Sequence, residues 1–180
     1  MEKLILSTLS LFMAISAFAQ KPVTVGGAPM YPTKNIIENA VNSKDHTTLV
    51  AAVKAAGLVE TLSGKGPFTV FAPTNAAFAK LPAGTVDNLL KPENKATLTA
   101  VLTYHVVAGK MSSADVIKAI KAGKGKAELK TVQGGILTAM IIGKNVLLKD
   151  EKGNTSKIII KDVNQSNGVI HVIDGVALPK

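Results

Sequence analysis

Phe68-Thr69-Val70-Phe71-Ala72-Pro73-Thr74-Asn75-Ala76-Ala77-Phe78 is the stretch from which the rest of the chain is read. Phe68 to Phe71 alternates and is rich in β-branched and aromatic side chains, so it reads as a strand. Ala72-Pro73 is expected to stop it, because proline brings no N–H to a sheet ladder. Thr74 then offers a side-chain oxygen to the open amides of a short helix, Asn75 to Lys80, which Leu81-Pro82 ends.

Upstream, Ile36, Ile37, Ala40 and Val41 recur at helical spacing. Leu49, Val50, Val53 and Ala56 form the apolar face of a second helix, with Thr47 as its expected cap and Gly57 as its left-handed end. Downstream, Pro92 suits the first turn of a helix whose Leu98, Val101 and Leu102 face inward before the chain extends at Val106-Val107. Ser112 and Asp115 have capping-box spacing for a helix from Ser113 to about Ala122, closed by Gly123.

After Gly125 the pattern changes to strands: Ala127 to Val132, Ile136 to Ile142, Asn145 to Leu148, Lys157 to Lys161 and Val169 to Val176. Gly134-Gly135, Gly143-Lys144 and Gly153-Asn154 supply the turns. A helical first half followed by a strand-rich second half argues for an α+β fold, since a parallel α/β sheet would alternate the two. No internal repeat of solenoid length is present.

The first residues carry Lys3, an apolar run from Leu4 to Ile15 and Ala17-Phe18-Ala19, so residues 1–19 read as a cleavable signal peptide and the protein as secreted or periplasmic. Residues 20–30 hold Pro22, Gly26, Gly27 and Pro29 and read as a flexible tether, with one domain over 31–180. The chain has no cysteine, which removes disulfides and thiolate metal sites, and one ordinary hydrophobic core is expected to carry its stability. No later stretch is apolar enough for a transmembrane anchor, and none is expected after Leu178-Pro179-Lys180.

A formal net charge of +9 biases the protein towards anionic partners. Every basic residue is lysine, so the planar guanidinium forks that read base edges are missing and sequence-specific nucleic-acid binding is not expected. Lys118, Lys121, Lys124, Lys126 and Lys130 form the densest charge feature, either a contact for an anionic surface or a solvated helix end. His46, His105 and His171 show no metal-ligand spacing, and nucleophile-elbow, phosphate-loop and dinucleotide motifs are all lacking. No catalytic residue, cofactor or metal is therefore assigned, and the chain is read as not an enzyme.

Two segments together resemble the paired signatures of the fasciclin domain: Thr69 to Phe78, and Asn167-Gly168-Val169-Ile170-His171-Val172-Ile173-Asp174. Between them, Leu102-Thr103-Tyr104-His105-Val106-Val107 resembles the tyrosine-histidine segment of that family. The resemblance runs from about Tyr31 to Pro179. It implies a wedge of two packed β-sheets flanked by several helices, with both signature strands side by side in the core. It also implies adhesion as the role, in the manner of small secreted single-domain bacterial members.

In animal matrix members the resemblance places partner recognition at positions that here are Tyr104, His105, Asp162 and Val163. Valine stands where that pattern has isoleucine, and Lys161 where proline often precedes the aspartate. Bottom-up, Phe68, Phe71 and Phe78 are expected in one shared interior, Gly168 in a turn and His105 as a hydrogen-bonded core residue. The expected function is a non-catalytic module binding a cell-surface or matrix protein or polysaccharide. A small-ligand carrier is the alternative, and a hydrolase a third possibility.

Overall fold

The computed structural model describes residues 20–180, so the signal-peptide reading of 1–19 lies outside the described residues. Among the described residues no helix is long and apolar enough to cross a membrane. The chain begins with β1 (Val23–Val25), β2 (Ala28–Met30), α1 (Ile36–Ala40), α2 (Thr47–Ala56) and α3 (Val59–Ser63). It continues through β3 (Phe68–Pro73), α4 (Asn75–Ala79), α5 (Thr85–Leu89), α6 (Lys95–Tyr104) and β4 (Val106–Ala108). Then come α7 (Ser113–Ala122), β5 (Lys126–Lys130), β6 (Ile136–Ile142), β7 (Asn145–Lys149), β8 (Thr155–Gln165) and β9 (Gly168–Ile173). The fold is α+β: among the described residues every helix precedes β5, and only strands follow.

Seven strands form one sheet in the order β4-β3-β9-β8-β7-β6-β5. The signature strands β3 and β9 are parallel neighbours in register from Phe68 opposite Gly168 to Pro73 opposite Ile173, while the other pairs are antiparallel. A bridge between Val107 and Thr131, with the Val132 N–H donating to the Val106 carbonyl at 2.7 Å, brings the two outer edges together. The two layers of the wedge are thus two halves of one strongly curled sheet, joined through the 11-residue β8.

β8 bends because its pairing with β9 slips twice, between Ile158 and Ile160 and again between Ile160 and Val163. Each slip adds an unmatched residue and turns the strand, the usual effect of a β-bulge. Asp162 lies in the second slip with a left-handed backbone, φ 57°. Across the first slip, Ile158 packs on one core cluster and Ile160 on another.

Those two clusters correct the expectation of a single interior. Val70 and Ala72 of β3, with Ile170 and Val172 of β9, point to the helices and meet Leu49, Val53, Phe78, Leu98 and Leu102. Phe71 and Ile173, the alternate residues of the same strands, point into the curl of the sheet, where they meet Tyr104, Val116, Ile120, Leu129, Leu137 and Leu148. Side chains of a strand alternate between faces, so a strand covered on both sides feeds two cores. Phe71 and Phe78 therefore do not share an interior, although the signature strands do lie side by side.

Several local expectations change as well. The stretch 20–30, read as a tether, pairs instead as β1 with β2, and Val25 and Met30 are buried in the helix-side cluster. Alternation in Val23-Thr24-Val25 outweighs the nearby glycines, which serve as its turn. β3 runs on through Pro73, at whose position the parallel neighbour is Ile173, and so is not stopped at Ala72. Gly168 is needed for close approach rather than a turn, because a Cβ there would collide with the Phe68 carbonyl oxygen.

Candidate functional site

The signature residues work first as clamps. Thr74 accepts from the Ala77 N–H and caps α4, as expected. Its neighbour Asn75 accepts from the Thr48 N–H at 3.0 Å and donates to the Lys44 carbonyl at 2.8 Å. Asn75 thereby satisfies the start of α2, a job sequence reasoning assigned to Thr47, whose own hydroxyl makes no cap. Asn167 accepts from the Ile36 N–H at 3.0 Å and donates to the carbonyls of Leu62 and Gly64 at 2.8 Å, tying the start of α1 and the end of α3 to the start of β9.

The four residues marked for recognition are drawn into the same framework. Tyr104 is fully buried, with its hydroxyl donating to the Ile136 carbonyl at 2.7 Å and accepting from the Glu151 N–H at 3.2 Å. Burial pushes its phenol up to about 12. His105 is buried between α6 and the C-terminal segment, its Nδ1 donating to the Val101 carbonyl at 2.8 Å and its Nε2 accepting from the Ala177 N–H at 3.0 Å. Both ring nitrogens being committed, loss of solvent holds the imidazole down at about 4 and hence neutral. Val163 is buried in the helix-side cluster.

Asp162 is half-buried. Its carboxylate accepts from the N–H and hydroxyl of Ser113 at the start of α7. Its own N–H donates to Nδ1 of His171 at 3.3 Å, and His171 Nε2 donates to the Met111 carbonyl at 2.9 Å. Phe71 stacks on the His171 ring with centroids 5.7 Å apart. The structure brings Asp162, Ser113 and His171 together, while Tyr104 and His105, successive residues at the end of α6, point into different surroundings.

The lysines divide. Lys118 and Lys121 lie exposed on α7, Lys124 in the turn after it, and Lys126 and Lys130 on β5. Ala127 and Leu129 are buried on the inner side of β5, so Lys126, Glu128 and Lys130 point outward. Residues opposite each other in a ladder share a face. The register therefore builds one outer row of Lys126, Met140, Leu147 and Lys157, and a second of Glu128, Thr138, Lys149 and Thr155.

Ile136 lies opposite Lys130, and Ile142 opposite Asn145, on the same outer face. Ile142 is 55% exposed and Ile159 on β8 47%. Four lysines and one carboxylate thus border a stripe of open apolar side chains. α7 packs on the other side of this half-sheet through Val116 and Ile120. Lys149, Lys157, Met140 and Leu147 escaped sequence reasoning, which looked along the chain. The signal was available: a two-residue turn at Gly143-Lys144 sets Ile142 opposite Asn145 and fixes every pair behind it.

Among the described residues no group of three His, Asp or Glu side chains converges as a metal set. What the geometry presents is an α+β domain with a stapled interior and an exposed, basic, partly apolar sheet face. The Fasciclin domain family model matches residues 44–179, and the chain belongs to that family.

Among its relatives, protein sll1483 of Synechocystis is 48% identical over 93% of this chain and 86% of its own. The immunogenic protein MPB70 of Mycobacterium bovis is 36% identical over 88% of this chain and 74% of its own. The cell surface glycolipoprotein MPB83 of the same species is 35% identical over 89% and 68%. The fold matches that of a FAS1 domain pair from the insect cell adhesion molecule fasciclin I, with a TM-score of 0.69 at 16% identity over 79% of this chain. This chain spans 50% of that structure.

Proposed function

We propose that the protein is a non-catalytic adhesion module acting outside the cytoplasm, and that it docks an acidic surface polysaccharide on the outer face of β5–β8. The observation that carries this reading is the outer sheet face, where Lys126, Lys149 and Lys157 of the two cross-strand rows, with Lys130 beside them, outnumber one carboxylate, Glu128. Like charges held together on one rigid face give a higher local potential towards a polyanion than scattered lysines do. Membership of a family whose fold is found in an adhesion molecule supports the role, as does a relative named for the cell surface. The leader-like residues 1–19 support export.

Tyr104, His105 and Val163 have their side chains inside the fold, so recognition falls to the face that solvent reaches. The test is retention of the protein on immobilised alginate against neutral dextran across a salt series. Retention on alginate that declines with salt supports the reading. Equal behaviour on both matrices at low salt overturns it.

A further inference from the structure

A cleft of about 240 Å³ opens between α7 and the β7–β8 strands, apart from the basic rows of the outer face. Its walls are Val116 and Ile117 of α7 with Val146, Ile158 and Ile159 of the sheet. Lys144, from the turn after β6, and Lys161, on β8, also line it, and both are exposed. Among the described residues the single ion pair joins Lys80 to Asp174, so neither lysine is neutralised by a protein carboxylate. Asp162, next to Lys161 in the chain, has its carboxylate engaged by Ser113.

We infer that this cleft binds one single-chain anionic amphiphile, a fatty carboxylate, with its alkyl chain between α7 and the sheet and its headgroup between Lys144 and Lys161. Two features select that occupant. The cleft is smaller than the roughly 300–1,000 Å³ of pockets for drug-sized molecules, which suits an unbranched chain better than a ring system. Apolar walls combined with unneutralised cations complement a ligand that is apolar along its length and anionic at one end. Ile159, 47% exposed, carries the apolar wall out to the mouth beside Asn145.

The probe is laurate below its micellar concentration, titrated calorimetrically into the full chain, with methyl NMR of the unmodified protein as a second readout. Expected are saturable one-to-one binding and shifts confined to Val116, Ile117, Val146, Ile158 and Ile159. The double variant Lys144→Glu/Lys161→Glu should bind roughly tenfold more weakly or worse, the change that loss of one charge-assisted contact brings, with an unchanged thermal transition. Ile117→Trp should fill the cleft and abolish binding.

Dodecyltrimethylammonium binding as tightly as laurate overturns the inference. So does absence of saturable binding, methyl shifts elsewhere, or binding only to phosphatidylglycerol vesicles. Alginate retention depends on other lysines, so either reading can fail alone.

Discussion

Asp162 grips Ser113 across 49 residues of chain, accepting from its N–H at 2.6 Å and from its hydroxyl. The carboxylate thereby meets the first turn of α7, where negative charge suits the helix dipole, and fastens the helix to the bulge in β8. Asp162→Ala should destabilise the fold by about 2–3 kcal/mol, since it strands a half-buried N–H and leaves an alanine in the left-handed region. Ser113→Ala should cost about 1 kcal/mol, because the amide contact survives. Denaturant unfolding of both singles and the double measures the coupling between the Ser113 hydroxyl and the carboxylate, and additive effects would show that this hydroxyl contact carries no energy.

The three histidines set a pH response of definite sign. His105 lies at about 4 in the folded chain and near 6.5 when unfolded, while burial also lowers His46 and His171. Between those values the unfolded chain holds a proton on His105 that the folded chain lacks, so stability is full above 6.5 and falls as pH drops towards 4. At about 1.4 kcal/mol per pH unit, His105 alone accounts for a loss of about 3 kcal/mol across that window. Urea midpoints at stepped pH, together with proton uptake on unfolding, test this. A His105→Gln variant should be less stable at neutral pH and show a shallower decline.

Local chemistry was the legible part of this fold. The capping box at Ser112 and Asp115, the Thr74 cap and the span of β6 are set by neighbours a few residues apart. What depended on distant partners was not. Val169-Ile170 and Val172-Ile173 put apolar residues on both faces of one strand around His171, and such a pattern shows that both faces are covered without showing by what. Alternation puts Val70 and Phe71 on opposite faces of β3, but that helices cover one face and the curl of the sheet closes over the other is set by distant elements. The burial of Tyr104 beneath Ile136 and Glu151, and the gathering of Lys149 and Lys157 beside Lys126, arise from ladders that join four strands.

Gly168 gives a test of how tightly the signature strands meet. Its neighbour across the ladder is Phe68, whose carbonyl leaves no room for a methyl group. Gly168→Ala should force β9 away from β3 and lower stability by about 3 kcal/mol, towards the large end for a single added methyl. Gly143→Ala is a control for glycine content at a position with open space but a left-handed backbone, and should cost about 1 kcal/mol. Comparable losses for the two would mean that the close approach is relieved at little cost.

The outer sheet face can be tested without disturbing the interior, because Lys126, Lys149 and Lys157 are held by their strands and none forms an ion pair among the described residues. Lys126→Glu/Lys149→Glu should leave stability within about 0.5 kcal/mol, as surface changes away from caps and buried networks do. It should also lower the salt needed to elute the protein from alginate, since two attractive charges become repulsive. Lys118→Glu/Lys121→Glu removes the same charge from α7 and preserves the cross-strand rows. If geometry on the sheet matters, the strand pair loses retention and the helix pair keeps most of it. Equal losses would mean that net charge alone governs binding.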